Sequence, residues 1–382
     1  MTTSIGVVRE AAVGECRVAL TPDGAGRLQK LGLRVVIETG AGESAWFDDA
    51  DYVAAGAAIG SREQVYAESD VIVCVRPPAD ARSARTGVMV VGLLGLLADP
   101  ALAEQLAGAG LTAVSVDLLP RTLSRAQGMD ALTSQANVAG YKAVLVAAGA
   151  YGGYLPMLMT AAGTTRPAQV LVLGAGVAGL QAIATARRLG AMVTGYDVRE
   201  AAQADIASTG AAVLDLAATA GNGEGGYARR LTDEEAQAQQ GALDAAIGRF
   251  DIVITTAQVP GRRPPLLVTV DALDRLRPGA VVVDLAASEF GGNVAGSQPD
   301  TTWVTPRGVT VIGAGNLPAS VPQAASTAYA RNICALLPVL LADGEIRIDF
   351  GDEVQAGVVV THDGTVVHPQ VRAALQKKEV RS

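Results

Sequence analysis

Three glycines and one carboxylate make the most chemically pointed spacing in this chain: Gly174, Gly176 and Gly179, followed by Asp197. A glycine at 174 permits a tight turn. One at 176 leaves no side chain to hold a pyrophosphate away, and one at 179 lets a helix lie close against a strand. The turn runs on through Val177 to Gly179, and the helix that follows offers N-terminal N–H groups and a positive dipole end that suit phosphates. Asp197 stands 23 residues beyond Gly174. A carboxylate there can accept both hydroxyls of an adenosine ribose and repels a 2′-phosphate, which favours NAD(H) over NADP(H). Arg199 is the opposing signal, because an arginine at that place can take a 2′-phosphate.

The glycine pattern alone is weak, so its setting decides. The apolar run Val170–Leu173 precedes it, and Leu180, Ile183, Ala184 and Leu189 recur at helical spacing after it. A second apolar run, Met192–Tyr196, ends at the acid. Strand, glycine turn, helix, strand and carboxylate together specify a βαβ nucleotide unit. The blander alternative is a βαβ unit whose glycines serve packing only.

Two further groups stand out. Arg121, Arg125, Gln127, Asp130 and Thr133 lie in a loop leading to a helix from about Thr133 to Ala148, which is expected to cross between domains. Such polar groups can orient a ligand, or merely cap an interdomain turn. The 217–233 stretch contains Gly225, Gly226 and Tyr227 and reads as a plain connector or as a flap that lowers Tyr227 over a nucleotide. Ala257 and Gln258 follow the strand Asp251–Thr256, and a turn spans 315–318. Ligands of open α/β sheets bind at such carboxyl ends.

The elements that must position these groups alternate along the chain. Strands are expected at 4–8, 33–38, 70–75, 88–91, 111–116, 170–173, 192–196, 211–216, 251–256, 280–284 and 309–313. Helices are expected near 21–31, 100–109 and 320–341, and residues 355–368 read as a hairpin turning at Asp363-Gly364. The fold class is α/β, with two Rossmann-like doubly wound domains and mostly parallel sheets. The expected domains are 1–132 with about 321–382, and 133–320. At 382 residues two cores are needed, and 49% apolar content supplies them. A net charge of −8 and only 4% aromatic residues argue against nucleic acid. Three scattered cysteines show no metal spacing and suit a reduced compartment. The start of the chain does not read as a signal peptide. The longest apolar runs span about ten residues, where a membrane helix needs about 20.

The motifs Arg17-Val-Ala-Leu-Thr-Pro22, Arg125-Ala-Gln-Gly-Met-Asp-Ala-Leu-Thr-Ser-Gln-Ala-Asn-Val-Ala-Gly-Tyr141, the Gly174 fingerprint, Gly225-Gly-Tyr-Ala228, Thr255-Thr-Ala and Gly291-Gly-Asn293 carry a further resemblance. Across essentially its whole length the chain resembles the alanine dehydrogenase/transhydrogenase family. Within it, the likeness is to the NAD(H)-binding alpha component (domain I) of proton-translocating NAD(P) transhydrogenases. The resemblance implies a homodimer working with membrane-spanning and NADP(H)-binding subunits, peripheral to the cytoplasmic side of the inner membrane. It also implies that Arg121, Gln127 and Asp130 grip the nicotinamide end of the nucleotide, with Thr133 where the family often has serine. Tyr227 would be the tip of a mobile loop, with Val177, Asp197, Val198, Arg199, Gly226 and Gln258 touching the nucleotide. The segment Asp284–Asn293 is one residue longer than the family pattern.

The same comparison separates two activities. Alanine dehydrogenases carry a histidine after the strand at 88–94 and a lysine in the strand at 70–76. Here 92–98 holds no titratable group, the second strand offers Cys74 and Arg76, and the two histidines, His362 and His368, fall in the C-terminal segment, where both are expected to be solvated. Oxo-acid chemistry needs a proton donor and acceptor, whereas hydride transfer between two nicotinamides needs positioning. The expectation is therefore a transhydrogenase subunit. The alternatives are an alanine dehydrogenase with an unrecognised acid–base group, and a non-catalytic NAD(H) sensor.

Overall fold

The computed structural model describes residues 2–216, 232–258, 263–342 and 344–379. The chain divides into two units, one made of Met1–Gln135 with Pro318–Ser382 and the other of Ala136–Leu317.

Unit 1 is built on strands β1 (Ser4–Val7), β2 (Arg34–Glu38), β3 (Ala58–Gly60), β4 (Val71–Val73), β5 (Met89–Gly92) and β6 (Thr112–Ser115). They lie in the order β3-β2-β1-β4-β5-β6, and every pairing is parallel. A sheet covered on both faces needs apolar side chains on each. Ile5, Val7, Ile37, Val73 and Val91 supply one layer, and Val36, Ile72, Val90 and Ala113 the other. Helices α1 (Pro22–Lys30), α2 (Asp49–Ala54), α3 (Arg62–Glu68) and α4 (Pro100–Gly108) connect the strands. The Thr21 hydroxyl accepts the Gly24 N–H and Pro22 occupies the first turn of α1, so the start signalled in sequence is the start observed. A 3-10 turn at Ser124–Met129 stands where a loop was expected and leads into α5 (Ala131–Ala150).

Unit 2 takes in α5 from Ala136 onward, and a short hairpin follows, β7 (Leu158–Thr160) and β8 (Gly163–Thr165). Its main sheet contains β9 (Gln169–Leu173), β10 (Met192–Tyr196), β11 (Ala212–Val213), β12 (Ile252–Thr255), β13 (Val281–Asp284), β14 (Thr301–Val304) and β15 (Thr310–Gly313). The order is β11-β10-β9-β12-β13-β15-β14, parallel except for β14. That antiparallel edge was not anticipated, and only two residues of the strand expected at 211–216 pair. Helices α6 (Val177–Arg188), α7 (Glu200–Ser208), α8 (Asp233–Ile247) and α9 (Val270–Arg275) belong to this unit. Register aligns Leu173 with Tyr196 on one side and Thr255 on the other. The residues just beyond, Gly174, Asp197 and Thr256, therefore emerge together.

The chain returns to unit 1 through α10 (Pro322–Leu336), shorter than expected, which buries Tyr329, Ile333 and Leu336 in the first layer. Two small hairpins follow, β16 (Leu341–Ala342) with β17 (Glu345–Ile346) and β18 (Thr361–His362) with β19 (Thr365–Val366), separated by α11 (Glu353–Val358) and followed by α12 (Pro369–Glu379). The turn at Asp363-Gly364 is present, but the predicted hairpin from 355 is corrected: Asp352 accepts the N–H groups of Val354 and Gln355 and caps a helix there. The expectation for His368 is also corrected. It is 7% exposed, and burial holds its imidazole below the ordinary range.

Candidate functional site

In unit 2 the three glycines have three different surroundings. Gly174 has φ +99°, in the left-handed region that favours glycine. A Cβ at Gly179 would stand 1.8 Å from the Gly174 carbonyl oxygen, so close helix–strand packing forbids any side chain there. A Cβ at Gly176 would meet nothing within 4 Å. The fold does not require glycine at 176, whereas a ligand approaching the backbone there would. Gly176 is the N-cap of α6 and supplies no side-chain acceptor, so the first-turn N–H groups at Val177 onward face outward with the positive end of the helix.

Asp197 is buried at the end of β10. Its Oδ2 accepts the Ala175 N–H at 2.8 Å, which ties the carboxylate to the glycine turn. Its Oδ1 accepts the Arg199 N–H at 2.9 Å, and the Arg199 guanidinium adds Nε–Oδ1 at 3.0 Å and Nη2–Oδ2 at 2.9 Å. Burial pushes this carboxyl up, but the Arg199 side chain and the two backbone N–H groups outweigh it and hold its pKa below the ordinary range. Beside it lies a cavity of about 310 Å³ lined by Tyr196, Val198, Gln203, Val213, Leu214, Asp215 and Leu216. Its mostly apolar walls suit an adenine ring. Of these residues only Val198 was singled out from sequence, because the others stand at or beyond the ends of β10 and β11 or, for Gln203, in α7, and carry no motif.

Ala257 and Gln258 are held by the 284–293 segment, which sequence reading marked by its extra residue and its glycine pair but did not connect to them. The Asn293 side chain accepts the Ala257 N–H at 2.9 Å and donates to the carbonyls of Ala257 (3.0 Å) and Pro265 (2.7 Å). Asp284 accepts the Thr255 hydroxyl at 2.9 Å, the Ala286 N–H at 2.9 Å and the Val294 N–H at 3.1 Å, closing the long 284–293 turn. Gln258 donates to the Leu285 carbonyl at 2.6 Å. A buried Asp and Asn bracketing a glycine pair was the available signal. Gly226 and Tyr227 lie outside the described residues.

In unit 1 the structure brings Arg121, Asp130 and Thr133 together. Arg121 donates from Nε to Asp130 Oδ2 at 2.9 Å and from Nη2 to the Thr133 hydroxyl at 2.8 Å. Thr133 donates its N–H to Asp130 Oδ1 at 2.8 Å and its hydroxyl to Oδ2 at 2.6 Å. Burial pushes the Asp130 carboxyl up, but Thr133 and Arg121 outweigh it and hold it below the ordinary range, so it is an acceptor fixed in one orientation. Gln127 lies in the preceding 3-10 turn with its residue exposed, and its carbonyl accepts the Asp130 N–H at 3.3 Å. Arg125 instead pairs with Asp352 at 2.8 Å.

One acid–base group escaped the sequence reading. Glu10 accepts the Val75 and Arg76 N–H groups at 2.5 and 3.1 Å, just beyond β4. Burial pushes its carboxyl up to about 7 against the pull of those two N–H groups, with Glu15 adding to the rise and Arg17 opposing it. The strand end thus holds a titratable carboxyl as well as Cys74, whose thiol burial holds well above its usual range. Glu10 was missed because it lies 65 residues from Val75 in sequence and meets it only through the parallel pairing of β1 and β4.

A dinucleotide fits what unit 2 offers: open space at Gly176, helix N–H groups without a side-chain cap, and a buried carboxylate at the strand end. The family profile described as "Alanine dehydrogenase/PNT, C-terminal domain" matches residues 143–369, and "Alanine dehydrogenase/PNT, N-terminal domain" matches residues 6–139. The chain is 43% identical over 373 residues to the NAD(P) transhydrogenase subunit alpha of Cereibacter sphaeroides, covering 96% of this chain and 71% of that one. It is 39% identical over 378 residues to a polypeptide of the NAD(P) transhydrogenase subunit alpha of Rhodospirillum rubrum, covering 96% of this chain and 98% of that one. A solved structure of transhydrogenase from Sinorhizobium meliloti superposes with a TM-score of 0.86 at 40% identity, covering 95% of this chain and 100% of that one.

Proposed function

The chain belongs to the alanine dehydrogenase/transhydrogenase family, and from that premise we propose that it is the NAD(H)-binding subunit of an NAD(P) transhydrogenase. The observation that carries the reading is the open space at Gly176 in front of the α6 N-terminus, next to Asp197. When bound, NADH supplies a hydride to NADP+ held by a partner polypeptide, and no proton is exchanged at the reacting carbons. The residues of this chain then have positioning roles. Gly174, Gly176, Val177 and Gly179 receive the pyrophosphate, and Asp197 takes the ribose hydroxyls, with Val198 and Arg199 beside it. Ala257 and Gln258 border the same strand ends, and Gly226 and Tyr227 belong to the loop expected to close over nucleotide. Asp130, braced by Arg121 and Thr133, orients the nicotinamide amide together with Gln127.

The same reading has the chain act as a homodimer with membrane-spanning and NADP(H)-binding subunits that couple the exchange to proton movement, peripheral to the cytoplasmic face of the inner membrane. Its support is the naming of its relatives as alpha subunits and the finding that, among the described residues, no helix is long and apolar enough to cross a membrane.

The decisive experiment mixes this chain with an NADP(H)-binding partner subunit, NADPH and an NAD+ analogue whose reduced form absorbs distinctly. Turnover only in the mixture supports the proposal, and a silent mixture with NADH binding intact overturns it. A second reading is favoured by Glu10: a carboxyl titrating near 7 could serve oxo-acid chemistry of the alanine dehydrogenase kind. NADH consumption with pyruvate and ammonium by this chain alone would establish it. A sensor would keep its function when Gln127 or Asp130 is replaced by alanine and lose it with the glycine fingerprint.

A further inference from the structure

An ionised carboxylate offers about four lone-pair positions, and at Asp197 all four are taken from within the chain. Oδ1 accepts the Arg199 N–H and Nε, and Oδ2 accepts the Ala175 N–H and Arg199 Nη2. The two backbone donors are fixed by the glycine turn and the start of α7. The two guanidinium donors are on a side chain that is 33% exposed, and displacing them from Asp197 leaves both backbone bonds in place. A ribose diol reaching this carboxylate brings two hydroxyl donors, and only the two positions held by the guanidinium can be vacated for them.

We propose that Arg199 is an intramolecular competitor of the adenosine ribose, setting the affinity of this chain for NAD(H) and its discrimination against NADP(H). The inference rests on the reading of unit 2 as a nucleotide site. Competition lowers the apparent affinity by the fraction of time the guanidinium holds the carboxylate. Partly exposed ion pairs are worth up to about 1 kcal/mol, so the penalty on a diol-bearing ligand is about two- to five-fold. The arginine also offsets the negative charge of Asp197 as seen by a 2′-phosphate, so its removal sharpens rejection of NADPH.

The test compares wild type with Arg199→Gln and Arg199→Lys by calorimetric titration of ADP, 2′,3′-dideoxy-ADP, NADH and NADPH. Loss of a positive charge acts on ADP and dideoxy-ADP alike, so the ratio of their affinities isolates the diol. In Arg199→Gln that ratio rises about two- to five-fold, and the preference for NADH over NADPH increases. Arg199→Lys, with charge but no fork, lies between. A ratio that stays level or falls would overturn the competition while leaving the nucleotide site standing. Failure of wild type and variants alike to bind ADP or NADH would overturn the nucleotide reading itself, and the competition with it.

Discussion

At the scale of single residues, Gly176 and Gly179 separate two uses of the same amino acid. Alanine at 179 drives a methyl to within 1.8 Å of the Gly174 carbonyl oxygen and is expected to destabilise unit 2 by about 3 kcal/mol, read by urea denaturation. Alanine at 176 meets open space, so stability stays within about 0.5 kcal/mol of wild type while NADH affinity falls at least about ten-fold. Equal losses of stability in the two variants would mean that the glycine turn serves packing only. At the other cluster, Asp130→Asn keeps the shape but removes the charge that Arg121 and Thr133 orient. Hydride exchange in the mixed system should slow by roughly 100-fold, with a smaller change in NADH affinity. A change confined to affinity would make Asp130 a plain binding group. The glycine spacing and the acid at 197 were legible in sequence because each is local. The closure of Asp197 by Arg199 was not, since a pair two residues apart is as compatible with two outward side chains as with a folded-back fork.

At the scale of elements, α6, the helix proposed to receive the pyrophosphate, is seated by a contact with α5. A Cβ at Gly140 of α5 would come within 2.1 Å of the Ala178 carbonyl oxygen in the first turn of α6. Gly140→Ala must displace that turn, and the expected cost is about 1–3 kcal/mol together with weaker NADH binding. Binding unchanged at reduced stability would show that the turn recovers its position. Runs such as Val88–Val91 and Val170–Leu173 were readable as buried strands because apolar content on both faces leaves few alternatives. The segment 353–358 was misread from residue 355 onward for the opposite reason. Its valines favour strand, but the Asp352 cap decides in favour of helix, and the extended path resumes only where Val360 donates to Ala113 at 2.8 Å.

At the scale of the whole molecule, charge and topology meet at Glu10. Its pKa rises on folding from 4.5 to about 7, so the folded chain binds the proton more tightly than the unfolded one. Stability from this group is complete below about pH 4.5 and is lost as pH rises through 7, by up to about 3 kcal/mol. Glu10→Gln should remove that slope, so urea midpoints of wild type and variant should diverge between pH 5 and pH 8. Parallel curves would place the Glu10 carboxyl in the ordinary range.

Because unit 1 is assembled from two separated stretches of the chain while unit 2 is one unbroken stretch, the two cannot mature in the same way during synthesis. On the ribosome, residues 136–317 are complete before Tyr329, Ile333 and Leu336 have been made, and those three side chains fill the unit 1 core. The first 135 residues must therefore wait with an open apolar layer, exposed to chaperones, until the residues from 318 onward emerge. Premature termination near residue 318 is therefore expected to leave unit 1 without those three core side chains although every residue of unit 2 has been made.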